Sequence, residues 1–573
     1  MASPGDLIRR ILLDLQKGKS EEFDLFVNSL VDPKTSSGTV KNYLKGLKDC
    51  VTLFNKTNES LLIAIMKMKW LNQSEGVIKA YHDLLINLMS ANTHYVNVSL
   101  NMLVRYFLPD MSEVELRNGS YNVDDETQKK HEDMFKHIHT VLEETSKIVP
   151  LTPVLLMPIL ERCYPYHLID VYIQSCYVTN LLQITRYIPT IRQQILDLIV
   201  NKIMKLDVLS PREKLGELEE SDEEEELFEM DEGGMNSKEE TKEGRIKYKE
   251  ADCLDVMMKL LFKYIYSVCH PNGEFDLEPS KKFYWELVSL FEKIILPTHE
   301  SCHVQFIMFY LASFKPILAD GLLDYLWKFV RNPNSPIIFR QASVSYMASL
   351  LARATFIPIH TVKISLDLMV AWLHDYLDNL SDGKQPDHLL HGTFYAVSQA
   401  VFYVFCFRNT EIFETSKGYK WAEALNFQRI VTSRLNPLRY CLSIVVTTFS
   451  SYTRRYQLAF CDTVIERNNR SIIPVVNSTT GQTEDDFSLK LASFFPFDPY
   501  LLSRSSKYIC DIYRVYQGEL QEVDNDTEDE DDFLPDDQQP VDMVITPSSF
   551  TLSKHMLSED LMKYATSPGF KTN

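Results

Sequence analysis

His299-Glu300-Ser301-Cys302-His303 matches the pattern His-Glu-x-x-His, in which two imidazoles one helical turn apart hold a zinc ion and the glutamate serves as general base. A catalytic zinc also needs a third protein ligand. The extended form of the motif wants Gly and His three and six residues past the second His, where this chain has Phe306 and Phe309. The next glutamate downstream is Glu411, and Cys302 sits about 100° around a helix from His303, so it cannot share a tetrahedral site with both imidazoles. The ligand arithmetic therefore speaks against a zinc hydrolase. The same residues read more simply as the beginning of a buried helix. Pro297 falls in its first turn, Thr298 caps it, and Glu300 sits near the positive end of its dipole. Val304, Ile307, Met308 and Leu311 then recur at helical spacing, with Phe306, Phe309 and Tyr310 widening the stripe.

Other chemical signatures fail on spacing. Gly18-Lys19-Ser20 resembles the end of a phosphate-binding loop, but the glycine required five positions before Gly18 is Leu13, and the context is helical. Asp524, Asp526 and Glu528 imitate the start of a calcium loop whose glycine position is Asp529 and whose closing glutamate position is Pro535. Neither a Gly-x-Ser-x-Gly elbow nor a dinucleotide fingerprint is present. His391 beside Gly392 reads as a packed or capping histidine. The ten cysteines are scattered without a Cys-x-x-Cys pair, as expected of reduced core thiols. No catalytic residue, metal or cofactor is expected.

The elements that would position such residues are helices. Ile195, Leu198, Ile199, Ile203 and Leu206 share one face, with Gln194, Asp197, Asn201 and Lys205 opposite. Leu322, Leu323, Leu326, Phe329 and Val330 repeat the pattern, as do Val362, Leu366, Met369, Val370 and Leu373. Prolines at 150, 153, 189, 297, 333, 336 and 358 mark starts and turns. Residues 298–331 and 335–380 read as two successive units of roughly 40 residues, the length of antiparallel helix-pair repeats. The expected fold is all-α, an α-solenoid of HEAT-like helix pairs. Its expected divisions are amino-terminal repeats over 1–206, a disordered acidic insertion over 207–250, further repeats over 251–470, a docking cap over 471–516 and a disordered acidic tail over 517–573. Residues 109–128 read as a surface loop. In the cap, Phe494-Phe495-Pro496-Phe497 is an aromatic cluster broken by proline, suited to docking on the last repeats or simply to covering the solenoid end.

At 573 residues and 45% hydrophobic content the chain can bury a large core. No run approaches 18 apolar residues and the start lacks a basic region before an apolar one, so neither a membrane span nor a secretory signal is expected. Two segments hold essentially all of the net charge of −20: residues 217–232 carry eleven acidic side chains and no basic one, and residues 522–537 carry ten and none. The remaining body is near neutral and lacks a basic stripe with interleaved aromatics, so strong direct nucleic-acid binding is not expected.

Leu296-Pro297-Thr298-His299 followed by Ser301-Cys302-His303-Val304-Gln305-Phe306 closely resembles the RNA polymerase I-specific transcription initiation factor family. Further matches run in order along the chain: Trp70-Leu71-Asn72, Leu156-Met157-Pro158-Ile159-Leu160, Leu351-Ala352-Arg353-Ala354, Leu390-His391-Gly392, Ile465-Glu466-Arg467-Asn468-Asn469-Arg470, Phe494 to Pro499 and Ile545 to Phe550. The resemblance implies a non-enzymatic bridge. One face of the solenoid would bind RNA polymerase I, chiefly through a stalk subunit, and another the promoter-bound selectivity factor on ribosomal DNA. Protein kinases would control the association, in the nucleus and nucleolus with a cytoplasmic pool. Self-association into a homodimer would hide the polymerase-binding face. A general α-solenoid peptide-binding adaptor or scaffold is the alternative reading.

Candidate phosphorylation sites follow from local context. Ser221 and Thr527 precede acidic triplets, while Thr152, Thr546 and Ser567 precede proline. Thr152 is singled out because it begins a helix between repeats. Arg467 and Arg470 form a candidate surface for a partner's carboxylates, the bland reading being a solvated helix end. Ser112 and Ser120 are candidate partner-binding positions through the family's phosphorylated amino-terminal surface.

Overall fold

The computed structural model describes residues 4–210, 249–470, 475–476, 483–484, 491 and 495–516, apart from short breaks at 18, 33–34, 55–57, 92, 112–115, 118–119, 122, 300, 381–385 and 415. Helices dominate. Strand pairing among the described residues is confined to two antiparallel ladders of two residues each, Leu116–Arg117 with Ser120–Tyr121 and Val475–Val476 with Thr483–Glu484, and one isolated bridge. The first lies inside the stretch expected to be a plain loop. Its strands flank Asn118-Gly119, the dipeptide that most favours a two-residue hairpin connection, a signal the helical reading passed over. No described helix is long and apolar enough to cross a membrane.

The described residues divide into two compact units, one made of those within 4–210 and 249–264 and the other of those within 265–516. In the first, successive helices pack as neighbours. Ser37–Asp49 lies against Glu75–Ala91, which in turn packs on Thr93–Arg105 and Asp125–Ile148, and Thr93–Arg105 packs on Thr152–Arg162. The face expected on Arg192–Leu209 is buried, yet Leu196, Val200 and Met204 are buried too, so this helix is wedged between neighbours on two sides. That helix runs on through Val208 and Leu209, and the next described helix begins at Lys249, so both ends of the expected insertion are helical. Residues 211–248 lie outside the described residues.

In the second unit, Phe306–Ser313 packs on Pro316–Arg331, which packs on Ile337–Arg353, and both Ile337–Arg353 and Ile359–Asp378 pack on Gly392–Phe407. All sixteen residues of Gly392–Phe407 are buried, the signature of a helix hydrophobic all round at the centre of a core. Pro336 and Pro358 stand at helix N-caps as expected. Asn426 and Asn436 take left-handed backbone angles (φ 49° and 48°), each starting a short helix, and the Asn426 side chain accepts from the Arg429 N–H. Asparagine tolerates that conformation better than other non-glycine residues.

The helix expected from Pro297 begins instead at Phe306. Residues Phe291–Ile295 form a π turn closed by the Leu296 N–H on the Phe291 carbonyl (2.8 Å). Thr298 ends that turn rather than capping a new helix: its hydroxyl donates back to the Ile294 carbonyl at 2.6 Å. Thr hydroxyls bond preceding carbonyls as readily as they cap, and sequence does not distinguish the two uses.

Candidate functional site

His299 and residues 301–303 therefore precede the helix rather than forming its first turn, so the two histidines do not share a helical face as a zinc motif requires. His299 is exposed, whereas His303 is fully buried with its ring edge-on to Tyr500 (5.3 Å). Glu300 lies outside the described residues. Among the described residues no group of three His, Cys, Asp or Glu side chains is placed to hold a metal.

What the segment does is receive another part of the chain. Gln305, fully buried, donates from Nε2 to the Ser301 carbonyl (2.7 Å) and to the Pro496 carbonyl (2.6 Å). The Phe497 N–H donates to Ser349 Oγ (2.9 Å), and its ring fills a socket of Phe306, Phe309 and Tyr346 with centroids 5.4, 5.0 and 5.7 Å away. Phe495 stacks on Tyr403 at 4.2 Å. Phe495, Pro496 and Phe497 thus dock on residues of helices Phe306–Ser313, Ile337–Arg353 and Gly392–Phe407 and on Gln305, rather than over the last repeats.

Charges fasten the same strap. Arg353 is fully buried, its guanidinium 4.7 Å from the Phe407 ring and 5.4 Å from the Tyr513 ring, with Nη2 3.9 Å from Asp498. Tyr403, beside it, has its hydroxyl pushed up to about 12 by burial, which the arginine partly opposes. The Arg514 N–H donates to the Arg353 carbonyl (2.7 Å), Thr355 N–H donates to the Ile512 carbonyl (3.0 Å), and the Arg514 guanidinium pairs with Glu411. Arg408, almost fully buried, donates to the carbonyls of Leu351 (2.9 Å) and Ile357 (3.0 Å) and pairs with Glu411. Burial and Arg514 pull its guanidinium below the ordinary arginine range, while Glu411 opposes the shift. The aromatic cluster is legible in the sequence, whereas the roles of Gln305, Ser349, Arg353, Arg408, Glu411 and Arg514 are not. Their partners lie up to 191 positions away, and no local pattern announces such pairs.

The candidate site residues do not converge. Thr152 begins helix Thr152–Arg162, as expected, but is fully buried, its hydroxyl donating to the Val149 carbonyl at 2.7 Å. A kinase could reach it only if this turn opened. Around it Ile148, Leu151 and Val154 stand exposed, at 51, 51 and 70%. Arg467 and Arg470 occupy the last turn of Asp462–Arg470; both are exposed, and Arg470 lies 3.4 Å from Glu466. Ser120 sits in the short ladder opposite Arg117. Ser112, Ser221, Thr527, Thr546 and Ser567 lie outside the described residues.

Packed helix neighbours, an internally fastened strap and exposed helix ends define a helical-repeat protein whose chemistry is contact. Comparison with known proteins gives the family. A profile of the RNA polymerase I specific transcription initiation factor RRN3 matches residues 5–520. The chain is similar to RNA polymerase I-specific transcription initiation factor RRN3 of Mus musculus, with 39% identity over 95% of this chain and 88% of that one. It is also similar to the corresponding factor of Schizosaccharomyces pombe, 26% identical over 87% of this chain and 82% of that one. A crystal structure of RNA polymerase I transcription initiation factor Rrn3 has the same fold, with a TM-score of 0.68 over 90% of this chain and 99% of that chain at 21% identity. The chain belongs to the RNA polymerase I-specific transcription initiation factor family, whose members are initiation factors and not enzymes.

Proposed function

We propose that this chain acts in ribosomal RNA synthesis by binding RNA polymerase I, chiefly through a stalk subunit, and bridging it to the promoter-bound selectivity factor. Phosphorylation by protein kinases regulates the association, a homodimer masks the polymerase-binding face, and the site of action is the nucleolus, with a cytoplasmic pool. The observation that carries the reading is the family match, which runs through both compact units and the strap. Stacked helices suit a bridge because they expose long surfaces whose apolar or arginine side chains can anchor a partner. The exposed Ile148, Leu151 and Val154 supply such anchors beside Thr152.

The test is gel filtration of the purified chain with RNA polymerase I, and with RNA polymerase II as control, at near-physiological salt. A stable complex with polymerase I alone is expected. Failure of both the untreated and the phosphatase-treated chain to bind would reject the bridge and return the peptide-binding adaptor as the better account.

A further inference from the structure

The near-neutral body hides a local imbalance. Residues 416–470 hold nine Lys or Arg and three Asp or Glu. Arg454 and Arg455 end helix Ser443–Arg455, and Arg467 and Arg470 end helix Asp462–Arg470; all four are exposed. Arg454 lies 3.3 Å from Asp462, which ties the end of one helix to the start of the other. Both that pair and Arg470–Glu466 are solvent-exposed, so they weakly neutralise the arginines. Arg455 and Arg467 form no ion pair among the described residues.

The strap delivers its end to this place. Tyr516, its last described residue, is buried against Phe407, and its hydroxyl lies 3.3 Å from that of Tyr452. Tyr452 is one helical turn before Arg455. From Tyr516 the chain needs only three residues to reach Glu519 and six to reach Glu522, where ten acidic residues begin over 522–537. Six residues span at most about 20 Å, and the acidic run, if extended, about 50 Å. Helix Asp462–Arg470 is only about 14 Å long. Reach and sign of charge therefore agree.

We propose that the acidic run 522–537 folds back onto the exposed arginines that end these two helices, Arg454 and Arg455 on one and Arg467 and Arg470 on the other, and occupies them in competition with carboxylate-bearing partners. The short link gives the run an effective concentration of about 1 mM, so a free peptide of the same sequence with a Kd of about 100 μM would be excluded roughly tenfold by the chain's own tail. Phosphorylation of Thr527 adds about −1.5 to −2 charges to the run and strengthens its hold. The proposal does not rest on the polymerase reading, because its test contains only this chain and a probe.

The experiment titrates a fluorescent peptide of residues 519–540 into two forms of the full chain: wild type, and a form with the ten acidic residues of 522–537 replaced by Asn or Gln. At about 0.1 M salt the neutralised form should bind the peptide about tenfold more tightly than wild type. Arg454→Glu, Arg455→Glu, Arg467→Glu and Arg470→Glu together in the neutralised form should abolish that binding, with an unchanged circular dichroism spectrum and melting profile. Neutralising residues 217–232 instead should leave peptide binding at the wild-type level. Equal binding by wild type and the 522–537 form, or binding insensitive to the four arginine substitutions, would overturn the proposal. Tighter binding of the neutralised form to a DNA duplex than to the peptide would also overturn it, by giving the arginines to a nucleic acid.

Discussion

Replacing Phe497 by Ala tests whether the strap is part of the core or lies over it. The side chain is 1% exposed and contacts the rings of Phe306, Phe309 and Tyr346. Truncating a buried Phe costs about 3–5 kcal/mol from lost transfer energy plus the cavity left behind. The socket walls are large rings on two helices, which limits collapse and favours the upper half of that range. The Phe497 N–H bond to Ser349 Oγ is a backbone contact and survives the substitution. For a unit of this size each kcal/mol shifts the melting temperature by about 2–4 °C, so the transition of the second unit should fall by roughly 8–20 °C. Phe497→Leu, which keeps most of the apolar volume, should fall less than half as far. Calorimetry with hydrogen exchange read separately on each unit is the assay, because two units make a single unfolding free energy ill-defined. A shift within 2 °C for Phe497→Ala, with undiminished protection of Ile337–Arg353, would refute the view that the strap completes the core.

Further perturbations have expected outcomes of their own. Thr152→Ala removes one buried hydrogen bond and should destabilise the first unit by about 1 kcal/mol, while Thr152→Glu, burying a charge, should cost several times more; equal melting of both variants and wild type would contradict the buried placement. If Thr152 regulates polymerase binding, the Ala and Glu variants should also differ in complex formation after correction for folded fraction, and unchanged binding by both would count against that role. Burial holds His82 and His139 down at about 4, with His137 adding to the effect at His82. Their folded values lie below the unfolded value near 6.5, so the unfolded state takes up the protons first. The first unit should thus be unaffected above pH 6.5 and lose stability towards pH 4, by at most about 1.4 kcal/mol per pH unit for each histidine. Denaturant midpoints at pH 7 and 5 measure this, and an unchanged slope in His139→Gln would sink the assignment. Purified chain should contain less than stoichiometric zinc by elemental analysis; one bound zinc lost in His303→Ala would revive the metal reading.

The aromatic strap shows how far local pattern carries. Phe494-Phe495-Pro496-Phe497 is apolar, broken by proline and outside any helical period, which suffices to predict that it docks. Its destination needed Gln305, Ser349 and Arg353, residues that read individually as unremarkable members of buried segments. The expected helix start at Thr298 failed for a related reason. A threonine hydroxyl can satisfy an N–H ahead of it or a carbonyl behind it, and the choice depends on the π turn at Phe291–Ile295.

By itself the chain's order of residues determined the helical class, the failure of every catalytic spacing, the family and the concentration of the net charge in two acidic runs. Each depends on composition, on residues close in sequence, or on matches that keep their order. Only the tertiary structure decided that His303 is buried with its ring edge-on to Tyr500, that Thr152 is hidden, that Arg353 lies against the rings of Phe407 and Tyr513, and that the strap brings Tyr516 to Tyr452. Those facts depend on contacts between residues tens to nearly two hundred positions apart, chosen by how preformed helices fill space together, and helical periodicity is blind to which neighbour a face will meet.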